Sequence, residues 1–385
     1  MFRRQLYEEI EHQLRAGQPV VQATVIQTRG STPRKEGSAM LVRADGTLMG
    51  TIGGGCGEAG VIQKAKLSLL DGRVREELAD LTEDISTESE AVCGGTLRVF
   101  IEPWQPDPER IALAHLLAGL AEGTQPVVLH QVVDEGERQE GGGQAGGADA
   151  GGGRVGARFV LSADGRPLYA ASGGGLELPP PPAGPPHQLR RVGARQVYSE
   201  RWDPIPSLVI VGAGHIAEPL EQIGRMAGFR TVVVDDRSLF ANRQRFPAAH
   251  QVVCGQILDV CREIELSPHH YFVLVTRGHV LDMDALRVLI DRREPVAYLG
   301  MIGSKRRVSA VFELLEQEGY ARELFRHVYA PIGLNIGAET PAEIAVSVMA
   351  EIIAVRRQVR DDTTSLVRLT GLHPSLRRAR LKPVG

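Results

Sequence analysis

The sequence predicts an α/β protein: a C-terminal Rossmann-type parallel-sheet domain, preceded by an α+β N-terminal domain with an internal duplication. Three observations predict it. Six short runs in the second half, 208–211, 231–234, 251–254, 271–275, 296–299 and 328–329, are apolar and β-branched along almost their whole length. Such runs mark strands buried on both faces, as in a parallel sheet covered by helices. The first of them leads directly into GAGHIA (212–217), and the first half repeats a set of segments in one order.

The first half opens with Phe2, Leu6, Ile10 and Leu14 near helical spacing among charged residues. This is an amphipathic helix and lacks the apolar core of a secretory signal. LRAGQPVV (14–21) resembles LAEGTQPVV (120–128), each a helix end running into a β-rich segment. MLVRADG (40–46) resembles FVLSADG (159–165), and each precedes a glycine triplet, at 53–55 and at 173–175. VFIEP (99–103) has its counterpart in VYSE (197–200). The glycine-rich stretch at about 136–156 then reads as an insertion in a hairpin of the second copy. It holds too little apolar surface to offset its ordering entropy and is expected to be disordered. Six of the eight residues at 179–186 are proline, an extended stretch that replaces the helix following the first glycine triplet.

These segments place one domain at 1–204, a Rossmann-type domain at 205–360 and a basic flexible tail at 361–385. Within the second domain a final helix is expected from Thr340. There Thr is a natural N-cap, Pro341 fits the first turn and Glu343 can close a capping box. Ile344, Val348, Ile352 and Val355 mark its apolar face.

Charge and cysteine usage narrow the function classes. With 44 basic against 47 acidic residues, the chain has no overall field for nucleic acid or an acidic membrane surface. No apolar run approaches the roughly 18 residues of a membrane span. Four cysteines without a CxxC pair do not make a disulfide framework, so reduced thiols and a cytoplasmic location are expected. Cys254 and Cys261 sit in strand-like and helix-like apolar contexts and are expected to be buried filler.

The GxGxxA segment supplies Gly212 for a tight turn and Gly214 for close approach of a phosphate, with His215 beside it. Asp235 and Asp236 end the next strand, where a carboxylate can accept from a ribose hydroxyl and repel a 2′-phosphate; Arg237 leaves that preference open. Ligands of open parallel sheets bind beyond the carboxyl ends of the strands. TRGH (276–279), GMIGSKR (300–306) and PIGLNIGAE (331–339) all follow such ends and should converge on one crevice. Ser304 reads as an N-cap with Lys305 and Arg306 beside it, an anion site that Arg277 would extend. His215 and His279 are residues for metal or proton chemistry, or simply hydrogen-bonding groups lining the cleft.

In the first half, RGSTPRKEG (29–37) and GTIGGGCGE (50–58) stand out. Cys56 is expected to open a helix behind three glycines, as an exposed thiol beside free backbone donors. A helix N-terminus and cations such as Arg34 or Lys35 lower a thiol pKa from about 8.5 to roughly 3.5–7.5. Such a thiol suits a soft metal, sulfur carriage or nucleophilic attack; a small residue packed in a tight loop is equally compatible with the spacing. Cys93, before Gly94 and Gly95, is a second thiol in a glycine turn.

Taken together, the long motifs resemble the XdhC/CoxI family of accessory proteins for xanthine dehydrogenase and related molybdenum hydroxylases. They are GSTPRKEGSAMLV (30–42), GTIGGGCGE (50–58), CGGTLRVFIEP (93–103), LVIVGAGHIA (208–217), VVVDDR (232–237), TRGH (276–279), GMIGSKRR (300–307) and PIGLNIGAETPAEIAVSVMAEII (331–353). Gly57 departs from the pattern, standing where the family usually has valine. The resemblance implies a protein that binds molybdenum cofactor, as molybdopterin or its nucleotide form, and protects it. It further implies exchange of an oxo for a sulfido ligand with a cysteine desulfurase, and delivery to the apo-hydroxylase. Cys56, with Cys93, would then ligate molybdenum or relay sulfur. The partners the resemblance implies are the hydroxylase and the desulfurase; a homodimer is expected for a two-domain cytosolic chaperone, and neither nucleic acid nor a membrane is expected as a partner. The resemblance thus implies a cofactor chaperone rather than a stand-alone enzyme. Two other classes explain parts of the sequence: an NAD(P)-dependent oxidoreductase, for which no acid/base constellation stands out, and an adaptor between hydroxylase and desulfurase, which needs no pocket.

Overall fold

The computed structural model describes residues 2–54, 56–80, 95–134, 155–171 and 185–358. The chain divides into two compact units, Met1–Pro204 and Ile205–Gly385. Residues 136–154 of the glycine-rich stretch, the second glycine triplet, residues 179–184 of the proline run and the basic tail lie outside the described residues.

The first unit runs α1 (Phe2–Arg15), β1 (Val20–Gly30), β2 (Ala39–Arg43), β3 (Leu48–Gly50), α2 (Cys56–Asp71), β4 (Arg75–Asp80) and β5 (Gly95–Trp104). It continues with α3 (Pro108–Leu120), β6 (Val127–Asp134), β7 (Arg158–Ser162), β8 (Pro167–Ala170), β9 (His187–Val192) and β10 (Arg195–Trp202). The first five strands form an antiparallel sheet ordered β3-β2-β1-β5-β4, and the next five repeat that order as β8-β7-β6-β10-β9. Even the hairpin turns correspond. Gly46 and Gly165 follow Asp45 and Asp164 at φ +84° and +82°, and each amide donates to a carbonyl three residues back at 2.9 Å. The second copy has no counterpart of α2 among the described residues.

Apolar periodicity explains the packing. Leu6, Tyr7, Ile10 and Leu14 of α1 pack with Leu113, Ala114 and Leu117 of α3, around Trp104 and Trp202 at the matching ends of β5 and β10. On the other face of the first sheet, Val61 and Ala65 of α2 cover Val21, Ala23, Val25 and Ile101. Asp107 caps α3 by accepting the Arg110 N–H at 2.8 Å.

The second unit runs β11 (Ser207–Val211), α4 (Ala217–Met226), β12 (Arg230–Asp235), β13 (Gln251–Cys254), α5 (Ile257–Glu263), β14 (His270–Leu274), α6 (His279–Asp291), β15 (Tyr298–Met301), α7 (Lys305–Gln317), a 3₁₀ turn (Arg322–His327), β16 (Val328–Tyr329) and α8 (Pro341–Arg356). All six strands are parallel, in the order β13-β12-β11-β14-β15-β16. The chain winds outward from β11 to β13 and then returns to the other side of β11, so the order reverses between β11 and β14. Ligands bind at that point in open sheets of this kind. One apolar layer joins Val209, Val211, Phe272 and Leu274 to α5, α6 and α7; another joins Leu208, Ile210 and Val273 to α4 and α8. The central strands β11, β12, β14 and β15 are therefore buried on both faces, as their composition requires, whereas the edge strand β13 is not.

The expected capping box opens α8: Thr340 Oγ1 accepts the Glu343 N–H at 3.3 Å and Glu343 Oε2 accepts the Thr340 N–H at 2.9 Å. Two readings need correction. The fifth strand begins at Tyr298 rather than 296, which places Gly300 inside it. There a Cβ would sit 2.5 Å from Ile332 Cδ1, so glycine is what the packing admits. Cys254 is exposed rather than buried, because β13 is the edge strand and Cys254 its last residue; Cys261 is buried as expected. No helix among the described residues is long and apolar enough to cross a membrane.

Candidate functional site

In the first unit, α2 begins at Cys56, directly behind the glycine loop. What shapes that loop is Glu58, which no motif reading of the sequence singles out. Its Oε1 accepts the Thr51 hydroxyl at 2.5 Å and the backbone N–H groups of Ile52, Gly53 and Gly54 at 2.9, 3.2 and 2.9 Å. Burial works to raise the Glu58 pKa, but these donors outweigh it and hold the carboxyl below its ordinary range. The expectation of free backbone donors beside Cys56 is therefore corrected at Gly53 and Gly54, whose amides are already taken. An acidic residue in the first turn after a glycine run was the available signal.

The RGSTPRKEG segment lies against this loop. Gly53 has φ +158°, and a Cβ there would fall 2.9 Å from Pro33 Cγ. Gly95 pairs with Gly30, and a Cβ on it would fall 2.5 Å from the Arg29 carbonyl oxygen. Arg29, Arg34 and Lys35 are exposed and form no ion pair among the described residues. Glu36 is the exception in this segment: it accepts the Thr28 N–H and hydroxyl at 2.9 and 2.6 Å and so fixes the return of the chain into β2. Cys93 lies outside the described residues.

In the second unit the glycine loop is gripped at one residue, Ala213, through the peptide groups on either side of it. Asp235 Oδ2 accepts the Ala213 N–H at 2.8 Å, while Arg245 Nη1 donates to the Ala213 carbonyl at 2.6 Å. Arg245 lies in an irregular segment with no motif and gave no sequence signal. Gly212 takes φ +111°, and a Cβ on it would lie 2.4 Å from the Val275 carbonyl oxygen, so only glycine lets the loop pass the end of β14. Gly214 has open space where its Cβ would stand. The backbone N–H groups of Gly214, His215 and Ile216 find no partner among the described residues, and the N-cap of α4 has no side-chain bond. Together they present a row of open backbone donors at a helix N-terminus.

The two aspartates ending β12 are both engaged. Asp235 also accepts the Arg237 backbone N–H and Nε at Oδ1, at 3.0 and 2.8 Å, and Arg237 Nη2 at Oδ2, at 2.9 Å. With Ala213 that makes four donors, filling the roughly four acceptor positions of a carboxylate. Burial opposes ionisation of Asp235, yet the Arg237 and Ala213 bonds bring its pKa down to about 2. Asp236 forms a bidentate pair with Arg277 at 2.6 and 2.9 Å.

Beyond the end of β14, Thr276 N–H donates to the buried Asp282 at 2.9 Å, fixing the turn that carries Arg277; burial raises the Asp282 pKa. His215 and His279 are both exposed. No group of three His, Cys, Asp or Glu residues able to hold a metal occurs among the described residues. Ser304 caps α7 through the Arg307 N–H as expected, and Lys305 and Arg306 are exposed without an ion pair among the described residues. The loop after β16 is tied down by buried Glu351, whose Oε2 accepts the Gly333 N–H at 3.0 Å and the Tyr298 hydroxyl at 2.5 Å. Glu351, too, went unnoticed in the sequence, hidden in an apolar helix.

Two family models match the chain. The XdhC Rossmann domain matches residues 208–352, and the XdhC and CoxI family matches residues 13–80. The chain belongs to the XdhC and CoxI family. It is 26% identical to a probable xanthine dehydrogenase subunit of Bacillus subtilis (strain 168), over 88% of this chain and 94% of that protein. It is 22% identical to the molybdenum cofactor insertion chaperone PaoD of Escherichia coli (strain K12), over 91% of this chain and 87% of PaoD. A third relative, the uncharacterized Escherichia coli protein YqeB, is 26% identical, and the match spans 46% of its length, so this XdhC-family chain is about half that relative. A crystal structure of a Bacillus halodurans protein described as a xanthine dehydrogenase shares the fold. Its TM-score is 0.72 at 24% identity, with 96% of this chain and all of the other covered.

Proposed function

We propose that this XdhC-family protein is a molybdenum cofactor chaperone. It binds the cofactor as cargo, protects it, assists its sulfuration by a cysteine desulfurase and inserts it into a xanthine dehydrogenase-type hydroxylase. The observation that carries the reading is the unpartnered amide row at Gly214, His215 and Ile216, set in a peptide loop that Asp235 and Arg245 hold rigid. A pterin cofactor ends in a phosphate or a nucleotide, and a preformed row of backbone donors suits that end. Lys305 and Arg306 add positive charge at a second helix N-terminus of the same unit.

The likeness to a cofactor insertion chaperone over 91% of the chain supports the same reading. In the first unit the proposed role of Cys56, with Cys93, is to hold molybdenum or to relay sulfur. Glu58 supports that role by fixing the loop that precedes Cys56. His215 and His279, exposed at the crevice, serve as hydrogen-bonding groups toward the cargo.

The test is reconstitution of an apo-hydroxylase with released cofactor, with and without this protein. The reading expects activation to depend on the chaperone, and expects Cys56→Ser to lower it. Intact cofactor binding and full activation in Cys56→Ser would remove Cys56 from the account.

A further inference from the structure

The ends of β12 and β14 flank the end of β11, which carries the glycine loop. The Asp236–Arg277 pair joins those two flanking ends. The loop passes close beneath: Gly212 meets the backbone of Val275 and Thr276, one residue before Arg277. A nicotinamide dinucleotide in such a sheet lays its adenosine ribose against the carboxylate ending the second strand of the fold, here β12. That carboxylate is Asp235. It is 2% exposed and its acceptor positions are filled by Ala213 and Arg237. Arg237 is in turn held over the Phe240 ring, its guanidinium carbon 3.8 Å from the centroid, so Asp235 is not released by a swing of a free arginine.

We propose that the crevice selects a ligand bearing a phosphomonoester at its β12 edge and that Asp236 and Arg277 are the selecting pair. The proposal rests on the reading of the crevice as an anion site given above. A ribose diol offers two hydroxyl donors and meets no open acceptor on Asp235. A phosphate dianion offers acceptors and takes the place of Asp236 on the guanidinium fork, which matches phosphate as well as carboxylate. The negative charge at this edge, which read from sequence alone repels a phosphate, is neutralised by Arg237 and Arg277. Asp236 thereby acts as an internal competitor: it keeps Arg277 placed and yields it to a stronger anion.

NADH and NADPH are suitable probes for the full-length protein because they differ by one phosphomonoester on the adenosine ribose and both fluoresce. Wild-type protein is expected to bind NADPH about tenfold more tightly than NADH, with the preference shrinking as salt rises. Arg277→Ala is expected to erase the preference, whereas Asp236→Asn, which frees Arg277, is expected to tighten NADPH several-fold and leave NADH unchanged. Equal or tighter binding of NADH by the wild type overturns the proposal, as does a preference that survives Arg277→Ala. Either result leaves the crevice standing as an anion site. If neither nucleotide binds and inorganic pyrophosphate also gives no calorimetric signal, the anion-site reading falls with it. Unfolding curves of both variants separate lost selection from lost fold: they are expected to stay close to wild type because Arg277 is half-exposed and Asp236→Asn keeps a polar side chain of the same shape.

Discussion

Glu58 Oε1 accepts the Gly54 N–H at 2.9 Å, and with three further bonds to Thr51, Ile52 and Gly53 it closes the glycine loop onto the first turn of the helix that Cys56 begins. One carboxylate thus organises a segment with almost no side chains of its own. Glu58→Ala is expected to leave the fold intact and free the loop. Amide exchange at Ile52, Gly53 and Gly54 should accelerate at least several-fold, while Glu58→Gln, which keeps an acceptor, should fall between the two. Unchanged exchange in Glu58→Ala would show that the loop holds itself.

The two glycines of the second loop should separate fold from ligand. Gly212→Ala forces a side chain into φ +111° and against the Val275 carbonyl, and should cost about 1–3 kcal/mol or more in a denaturation curve. Gly214→Ala meets no neighbouring atom, so its stability should match wild type. Its binding of phosphate-bearing ligands should nonetheless weaken, because the added methyl occupies the approach to the amide row. Equal effects of both substitutions on stability would contradict this division.

Glu102 of β5 and Arg158 of β7 tie the two repeated sheets together through a pair at 2.5 Å, with side chains 1% and 2% exposed. Arg110 and Gln131 complete the coordination of Glu102. Burial favours the neutral carboxyl, but Arg158 and Arg110 keep Glu102 ionised. Glu102→Ala strands a buried guanidinium and should destabilise the first unit by about 3–5 kcal/mol, read as a shift in its urea midpoint.

His130 gives the first unit an acid sensitivity of its own. Its ring shares a hydrogen bond with Ser199 Oγ at 2.8 Å, and burial, with the charge of Arg190, lowers its pKa from 6.5 to about 4. A histidine with a depressed folded pKa contributes its full stability above the unfolded value and loses it as pH falls toward the folded value. The loss should therefore run from about pH 6.5 to about pH 4 and reach about 3 kcal/mol. Thermal melts across that window should flatten in His130→Gln.

Much of this was legible because it depends on local pattern. Near-continuous β-branched runs reported a sheet covered on both faces, and the repeated order of LVR-ADG and VLS-ADG segments reported two sheets of one topology. Thr340, Pro341 and Glu343 form the cap their spacing specifies. What escaped were long-range engagements. Asp235 reads as an open acceptor in sequence and proves to be filled by Ala213 and Arg237. Arg245 reaches Ala213 across 32 residues from an irregular segment, and Glu351 reaches Gly333 from inside an apolar helix. Side-chain saturation is a property of three-dimensional neighbours, so no periodicity announces it.

The most direct test of the chaperone reading is to mix the full-length protein with released molybdenum cofactor, remove unbound material, and analyse what remains by mass spectrometry and metal analysis. The account predicts that pterin and molybdenum are retained together, and that less of both is retained by Gly214→Ala. Recovery of NAD(H) with neither pterin nor molybdenum would contradict it.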